Sequence, residues 1–376
     1  MSMQRVLVVG AGFTGLTAAI ALGRTGVQVH VIDRVKEWAP VGHGLTIQGN
    51  ALKVFKDLGI YDDLIRRACP EDNGVTLRLS NGDLLMHINT PRTGGEDLPP
   101  TIGTLRPHLH ELLVAKAEEH GVTFQLGTEL LDFENRGETA AATLSDGTQE
   151  EWDLVIVAEG IRSKTRAKLG ISEEQASSGL GIWRGLAART PEMDGEIFFP
   201  TSHDGGAYKA GYTPISDDQC YFFVLCPPIR PENGLEDWQE VRRLLEPFHG
   251  SFDLLRDTIV EDTFLNFQEI EWIFVDGPWH QGRVLALGEV VHAVPPLIAQ
   301  GAAQCVEDSL VLAEHITQEG DLEEQLKAFY ERRLPRVKGV VDASMQLARW
   351  EQNPGSSQGR DGEVLNAALL ALTDPA

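Results

Sequence analysis

The fold is decided by residues 5–15, RVLVVGAGFTG, together with Asp33, the acid that ends the next predicted strand. The apolar run 5–9 is typical of a strand buried on both faces of a parallel sheet. Gly10 allows a sharp turn out of this strand, Gly12 lets the backbone approach a pyrophosphate, and Gly15 lets a helix pack closely on the sheet. A phosphate is favoured at that helix N-terminus, and Asp33 can accept hydrogen bonds from an adenosine ribose. The stretch therefore predicts a β-α-β unit that binds a dinucleotide.

Composition limits the class of protein. The chain has 376 residues, enough for more than one domain, and its 42% hydrophobic and 23% charged residues are ordinary for a globular enzyme. The net charge of −24 argues against nucleic acid and anionic membranes as partners. The 4 cysteines show no CxxC spacing, so they predict neither a metal site nor a disulfide framework. No apolar stretch is long enough to span a bilayer. We expect a soluble, cytoplasmic protein.

Hydrophobic periodicity predicts the other elements of the first half of the chain. The strand that follows the central antiparallel excursion ends in Glu159-Gly160, and the basic segment 160–166 is predicted to open a helix. This region therefore repeats the first motif in outline. The hairpin is centred on an Asn81-Gly82 turn. The predicted elements are a glycine-rich loop over 38–50, a helix over 51–58, a hairpin over 75–88, a helix over 107–120, antiparallel strands over 130–152 and a buried strand over 153–158.

The pattern changes between residues 179 and 274, where strand-like runs and aromatic residues dominate. Because only one helical passage, 238–248, interrupts them, a mainly antiparallel β insertion is predicted. The elements that follow it are a buried strand over 282–289, a proline-bearing loop, a helix from Gly301 to about His315 and a final helix over 323–347. The tail from 351 onward is polar and then Ala/Leu-rich, and this pattern does not indicate what the tail does.

Three separated motifs resemble the class A flavoprotein monooxygenases, the p-hydroxybenzoate hydroxylase family. They are the glycine motif with Asp33, the segment 153–166, and the segment from 288 that reads GEVVHAVPP. The resemblance covers residues 4–345 in order and spacing. Two positions depart from the family pattern, because Glu159 and Glu289 stand where aspartates are usual. Within the family the chain most resembles salicylate hydroxylase, 6-hydroxynicotinate 3-monooxygenase and urate hydroxylase.

The resemblance implies an α/β fold with a Rossmann-like FAD-binding domain, an inserted mainly antiparallel β-sheet substrate domain and C-terminal helices. It assigns residues 1–74, 101–176 and 276–350 to the FAD-binding domain, the last range including the C-terminal helix. The substrate domain then comprises a hairpin and loop over 75–100 and the segment 177–275, and residues 351–376 form a tail.

Tightly bound FAD is also implied by the resemblance. The three glycines would hold the pyrophosphate, and Asp33 with the neighbouring Arg34 would lie at the adenosine ribose. Arg106 and Glu289 would reach the ribityl and pyrophosphate region. Residues 295–302 would line the flavin ring, where negative charge collects at the N1–C2=O edge on reduction. Gln300, Gly301 and Ala302 are assigned to the cofactor, and the backbone N–H groups after Gln300 are expected at this edge.

The reaction implied by the resemblance is oxygen insertion. NADH or NADPH, docking transiently, reduces the flavin, O2 adds at C4a, and the hydroperoxide hydroxylates a small aromatic or N-heteroaromatic phenol or acid. The protein must exclude water, position the ring and help to deprotonate its hydroxyl. Tyr208 and Tyr212 are the main candidates, because residues four apart on a strand project to one face. The other candidate catalytic residues are Thr46, His43 and Pro295.

Several neighbouring residues have two interpretations. Thr46 aligns with a histidine of the hydroxynicotinate enzyme, and either His43 or His203 could relay a proton. Arg184 either anchors an anionic substrate group or forms an ion pair under the sheet. His292 is interpreted as a residue that positions the flavin loop, and Cys305 as core.

Alternative functions remain open at this stage. An enzyme on the same scaffold could oxidise a larger polyketide- or quinolone-like substrate. A dehydrogenase using only the first motif would bind NAD and be colourless, and a flavin-binding sensor or scaffold would bind FAD without turnover. The resemblance also allows a homodimer.

Overall fold

The computed structural model describes residues 3–38, 42–71, 74–190, 193–199, 206–230, 232–353 and 355–376. Its strands are β1 Arg5–Val9, β2 Gln28–Asp33, β3 Gly44–Gln48, β4 Cys69–Glu71, β5 Val75–Leu79, β6 Leu84–Ile88, β7 Thr101–Leu105, β8 Thr123–Leu126, β9 Leu130–Asn135, β10 Ala140–Leu144, β11 Gln149–Trp152, β12 Leu154–Val157, β13 Ala176–Ala188, β14 Glu196–Phe199, β15 Lys209–Pro214, β16 Gln219–Cys226, β17 Leu265–Phe274, β18 His280–Gln281, β19 Val284–Ala286 and β20 His292–Ala293. Its helices are α1 Phe13–Gly23, α2 Gly49–Asp57, α3 Tyr61–Ile65, α4 Arg106–Glu119, α5 Asp237–Leu245, α6 Ser251–Thr258, α7 Gly301–Ile316, α8 Leu322–Gln352 and α9 Asp361–Leu370. Short 3-10 turns occupy Arg166–Leu169, Gly288–Val290 and Pro296–Ile298.

The N-terminal motif forms the centre of a six-stranded sheet. The strand order is β18-β19-β12-β1-β2-β8, and all neighbours are parallel except β18 and β19. Residues 6–9 and 154–157 of the two central strands are buried, as strands covered on both faces require. α1 packs on β1 and β2 and also contacts α4 and α7. The predicted Rossmann-like unit is confirmed, and β9, β10 and β11 form the predicted antiparallel excursion.

The insertion forms an eight-stranded, mainly antiparallel sheet. Its order is β20-β17-β13-β16-β15-β14-β5-β6, so the hairpin over 75–88 joins the strands of the later segment. One face is covered by α5 and α6, and the aromatic residues Trp183, Phe222, Phe248 and Phe252 fill the space between. The sequence predicted only the first of these helices, so α6 is a correction to that prediction.

A small sheet, β3-β7-β4, lies against the other face of the eight-stranded sheet. The prediction of a loop over 38–50 was wrong for Gly44–Gln48, which pairs with Thr101–Leu105. Glycines hide this strand from pattern analysis. Gly44 is needed there because a Cβ would lie 2.1 Å from Cβ of Tyr221 on the facing sheet.

The C-terminal region is helical. α8 begins at Leu322, continues beyond the predicted end at 347 to Gln352, and contains Pro335. The tail forms α9, whose Leu369 is buried together with Leu372 against α8. The segment 160–166, predicted to open a helix, forms only the short 3-10 turn Arg166–Leu169. Within the described ranges, no helix is both long and apolar enough to cross a membrane.

Candidate active site

The glycine loop leaves open space in front of α1. A Cβ on Gly10 would lie 2.3 Å from the carbonyl oxygen of Ala158, and one on Gly15 would lie 1.9 Å from that of Gly10, so both positions need glycine for packing. A Cβ on Gly12 would meet no described atom within 4 Å. Gly12 immediately precedes α1, and no side chain caps the helix, so the first N–H groups of α1 point into this space. The arrangement fits a pyrophosphate.

Asp33 lies beside this loop at the end of β2. One carboxylate oxygen accepts the N–H of Ala11 at 2.7 Å, and the other accepts the N–H of Val35 at 2.9 Å. A carboxylate has about four acceptor positions, so both oxygens can still accept hydrogen bonds from a ribose. The neighbouring Arg34 is exposed. The predicted ribose contact is therefore geometrically available.

α4 brings two further residues to the loop. Arg106 is its first residue, and the guanidinium lies 4.7 Å from the centre of the Phe13 ring. His110, one turn later, has Nε2 3.0 Å from the carbonyl oxygen of Ala11, so this nitrogen donates and fixes the loop. Sequence reasoning missed His110, although its spacing of four from Arg106 places both residues on one helix face.

The two glutamate departures have different surroundings. Glu159 accepts hydrogen bonds from Ser163 Oγ at 2.6 Å and from the N–H of Thr165 at 3.1 Å, so it caps the turn after β12. Glu289 is exposed, and its Oε2 lies 3.8 Å from where a Cβ on Gly160 would stand. Of these two glutamates, only Glu289 therefore has a carboxylate available at the carboxyl ends of the central strands.

The proline-bearing loop ends at a second uncapped helix N-terminus. Pro295 is buried ahead of the turn Pro296–Ile298, and Ala299 has a left-handed φ of 53°. Gln300 is fully buried and precedes α7, which lacks a side-chain cap. Gly301 and Ala302 in the first turn are half-buried. Such an end suits the negative charge of a reduced flavin, and a strained Ala299 is typical of functional sites.

Behind this loop lies a cluster that we call the ionic core, consisting of His292, Glu307, Asp308, Arg333 and Arg336. Arg333 is fully buried and binds Asp308 at 2.7 Å and Glu307 at 3.0 Å. His292 Nε2 lies 2.5 Å from Asp308 Oδ2. Burial alone would raise the pKa of Asp308, but His292 and Arg333 lower it. His292 is thus held by a buried carboxylate, and its role in positioning the flavin loop stays a prediction.

The face of the eight-stranded sheet that β3 and β7 cover carries polar groups. We call His43, Thr46, Glu71, Arg184 and Tyr221 the intersheet groups. Thr46 Oγ1 lies 3.3 Å from Oγ1 of Thr213 on β15, a residue the sequence did not single out. The rings of His43 and Tyr221 are 5.9 Å apart. Since Arg184 stands opposite Phe223 in the register, it shares this face with Tyr221.

The pKa values of these groups shift in different directions. Burial lowers the pKa of His43 to about 4, and the cations Arg184 and Arg106 add to the effect. Its Nδ1 lies 2.7 Å from the carbonyl oxygen of Gly44, so Nδ1 carries the proton and Nε2 is left as an acceptor. Burial raises the pKa of Tyr221, which is hydrogen-bonded to Arg184. Arg184 also donates to Gln268 Oε1 at 2.9 Å.

Glu71 is an intersheet group that sequence reasoning missed. It stands on β4 in register with Thr101 and Gln48, and its Oε2 accepts from Thr101 Oγ1 at 3.2 Å. Oε1 is buried without a hydrogen-bond partner among the described residues, as is Oε1 of Gln48. Burial raises the pKa of Glu71 to about 7. No motif signals this residue, because its environment arises from strand pairing.

The prediction that Tyr208 and Tyr212 share one face was wrong. Tyr212 is buried under α6, 5.7 Å from the Phe252 ring, and its hydroxyl donates to Glu196. Tyr208 lies just before β15 and packs with Phe223 and Leu297 on the side of the proline-bearing loop. The strand begins at Lys209, and the side chains of 208 and 212 therefore lie on opposite sides of the sheet. His203 lies outside the described residues.

Comparison with known proteins now identifies the family. Residues 3–344 match the family described as "FAD binding domain". A putative FAD-dependent monooxygenase of Bacillus subtilis is 31% identical over 92% of this chain and 94% of its own length. The chain belongs to the class A flavoprotein monooxygenases. FAD is thus the cofactor that the glycine loop and the two uncapped helix ends fit.

Other relatives of this monooxygenase carry more specific names. The 2-heptyl-3-hydroxy-4(1H)-quinolone synthase of Pseudomonas aeruginosa strain PAO1 is 27% identical over 92% of this chain and 90% of its own. The 6-hydroxynicotinate 3-monooxygenase of Pseudomonas fluorescens is 28% identical over 97% of each chain. Among solved structures, Klebsiella pneumoniae HpxO complexed with FAD and uric acid is 23% identical, with a TM-score of 0.80 over 98% of this chain and 92% of that one. This last likeness confirms the fold.

Proposed function

We propose that this monooxygenase uses NADH or NADPH and O2 to hydroxylate a small aromatic or N-heteroaromatic phenol or acid. The observation that carries the proposal is the face between the two sheets, where Arg184, Tyr221 and a neutral His43 stand together beside apolar walls. A cation and two hydrogen-bonding rings next to the apolar side chains of Phe223 and Leu297 are suited to a flat ring with an ionisable substituent.

The FAD contacts proposed for this chain follow from the site. The pyrophosphate would lie against Gly12 at the α1 N-terminus, the ribose at Asp33, and the isoalloxazine between the proline-bearing loop and the intersheet groups. Bound FAD would supply hydride acceptance from the nicotinamide and reaction with O2. Its N1–C2=O edge, where negative charge collects on reduction, would be held by the first-turn N–H groups of α7.

The intersheet groups would then orient and activate the ring. Arg184 favours an ionised hydroxyl or carboxylate, because a nearby cation stabilises an anion. His43 is neutral at pH 7 and offers Nε2 as the acceptor for a hydroxyl proton. Phe223 and Leu297 exclude water from the same side. Tyr208 packs with them and is retained as a substrate contact, whereas Tyr212 is not.

A larger quinolone-like substrate is the second candidate. The relative named as a quinolone synthase is about as similar to this chain as the one named as a hydroxynicotinate monooxygenase. Both substrate classes can use the same cation and imidazole. They differ in the apolar volume required beyond the ring, so the choice depends on a substrate panel.

The test combines a spectrum with turnover. The purified protein should show flavin absorbance, and one compound among hydroxybenzoates, hydroxypyridines, purines and alkylquinolones should accelerate NADH or NADPH oxidation with formation of a hydroxylated product. We expect Arg184→Gln to raise KM about tenfold for an anionic substrate, the equivalent of one charged hydrogen bond, with FAD content unchanged. The matched control is Arg162→Gln, an exposed arginine paired with Glu271.

The outcomes separate the candidates. A protein that cannot bind FAD contradicts the proposed function altogether. Stimulation by alkylquinolones alone favours the larger substrate, and an equal KM change in both arginine variants contradicts the role of Arg184. Flavin binding with no stimulated oxidation by any ring compound would favour a protein without turnover.

A further inference from the structure

A continuous chain of hydrogen bonds, buried at its inner end and exposed at its outer end, links the proline-bearing loop to the C-terminus. Its inner end is Gln300, which exchanges two hydrogen bonds with Asn50 of α2. Asn50 Nδ2 donates to Gln300 Oε1 at 3.1 Å, and Gln300 Nε2 donates to Asn50 Oδ1 at 3.2 Å. Gln304 Nε2 also donates to Gln300 Oε1, at 3.1 Å. These contacts hold the Gln300 side chain in one orientation.

The middle of the chain is Glu307 of the ionic core. Its Oε1 accepts a hydrogen bond from Asn50 Nδ2 at 2.7 Å. Arg336 donates from Nε and Nη2 to the two oxygens of the same carboxylate, each at 2.8 Å. Burial alone would raise the pKa of Glu307, but Arg333 and Arg336 lower it. Glu307 is therefore ionised, and the two-point contact with Arg336 fixes its plane.

The outer end is the C-terminal tail. Arg336 Nη1 donates to the carbonyl oxygen of Asp374 at 3.0 Å, and Nη2 donates to that of Leu372 at 3.2 Å. Leu372 is itself buried against α8. The tail, to which the sequence assigned no role, thus holds the arginine that holds Glu307.

We propose that Asn50, Glu307 and Arg336 are positioning residues of the FAD site, with residues 371–374 as their outer anchor. They act through Gln300, which immediately precedes α7 and determines the direction of its uncapped first-turn N–H groups. Those groups stabilise the negative charge of reduced flavin only if they are held in place beforehand. The inference rests on the proposed FAD site.

The neighbouring Arg332 provides a matched control. It also binds the tail, donating Nε to the carbonyl oxygen of Ala376 at 2.8 Å, and it pairs with Glu314 at 2.9 Å. Both contacts are exposed, and neither of these partners forms a hydrogen bond to Asn50 or Gln300 among the described residues. Loss of Arg332 therefore removes a tail contact without touching the buried chain.

The experiment compares Arg336→Gln, Asn50→Ala, their double variant and Arg332→Gln in the full-length protein. FAD is titrated into each apoprotein to obtain Kd, the midpoint potential of the bound flavin is measured, and Tm of the apoprotein reports folding. We expect FAD binding to be about tenfold weaker in Arg336→Gln and in Asn50→Ala, because each substitution removes a hydrogen bond to a charged group. The double variant should be no weaker than the weaker single variant, because both break one chain. The midpoint potential should fall in all three.

The proposal and the FAD site fail in different ways. If the native chain binds no FAD, the proposed function is wrong. If the native chain binds FAD but Arg336→Gln and Arg332→Gln have equal Kd and equal midpoint potential, the positioning role is wrong. The positioning role would also be wrong if the increase in Kd of the double variant equalled the product of the two single increases, because independent sites behave in that way. Arg332→Gln should stay within about twofold of the native Kd.

Discussion

Two sets of polar groups in this monooxygenase, the buried ionic core and the mostly half-buried intersheet groups, differ in how their charges are balanced. In the ionic core, Glu307 and Asp308 are matched by Arg333 and Arg336, and the pKa values of both carboxyls are lowered. Among the intersheet groups, burial moves His43 and Glu71 toward their neutral forms instead. Fully paired buried charges are typical of structure, whereas unpaired, shifted groups in a cleft are typical of ligand sites. The difference supports the proposal that the intersheet groups contact the substrate.

The largest expected effect comes from breaking the ionic core. Arg333→Met removes the fully buried guanidinium and leaves two carboxylates without sufficient positive charge. Removing one partner of a buried ion pair costs about 3–5 kcal/mol in the free energy of unfolding. Urea denaturation at pH 7.5 measures the loss. Lys327→Met, which removes an exposed partner of Glu331 on the same helix, should cost less than about 0.5 kcal/mol. A similar loss in both variants would mean that the ionic core is not structural.

The second substitution, at Glu71, should stabilise the protein rather than destabilise it. Glu71 has a native pKa of about 7, above the ordinary value of a carboxyl, so the native state binds more protons than the unfolded state between about pH 4.5 and 7. Its stabilising contribution is complete below that window and is lost as the pH rises through it. Glu71→Gln should therefore increase the free energy of unfolding by about 2 kcal/mol at pH 8 and change it little at pH 5.

Urea denaturation of both proteins at the two pH values measures the difference. The exposed Glu118→Gln serves as the control, and it should show no dependence of this kind. Destabilisation by Glu71→Gln at pH 8 would show that Glu71 has an ionic partner in the folded protein. It would then belong with the structural set.

The sequence predicted local features well. The strand-glycine-helix unit and the Asn81-Gly82 hairpin are encoded by adjacent residues, and Gly82 has the φ of 91° that such a turn needs. Relations between distant segments were not predicted. The pattern of β3 is interrupted by Gly44, which is required there because Tyr221 of a distant strand packs against it. The sides of the sheet on which Tyr208 and Tyr212 lie depend on where β15 begins. Glu71 acquires its environment only when β4 pairs with β7.

The third prediction tests the corrected assignment of the tyrosines. Tyr212→Phe removes the hydroxyl that donates to Glu196 inside the core beneath α6. We expect a loss of about 1–2 kcal/mol in unfolding free energy with FAD binding and KM unchanged. Tyr221→Phe should instead raise KM, because its hydroxyl faces Arg184 between the sheets. Chemical denaturation and steady-state kinetics on both variants are the measurements. A change in KM for Tyr212→Phe would restore the original prediction.

The smallest expected effect on stability is at Gly12. Its backbone is extended, with φ −76° and ψ −175°, and a Cβ there meets no described atom within 4 Å. Serine is at least as good as glycine before a helix, so Gly12→Ser should change the unfolding free energy of the apoprotein by only a few tenths of a kcal/mol, roughly 0.3 in the stabilising direction. FAD affinity should nevertheless fall, since the new side chain occupies the space proposed for the pyrophosphate.

Gly15→Ala is the contrasting variant, because its Cβ would lie 1.9 Å from the carbonyl oxygen of Gly10 and must disturb folding itself. Apoprotein denaturation with FAD titration distinguishes the two glycines. Unchanged FAD affinity in Gly12→Ser would mean that this open space does not receive the phosphate, whatever the glycine spacing suggests.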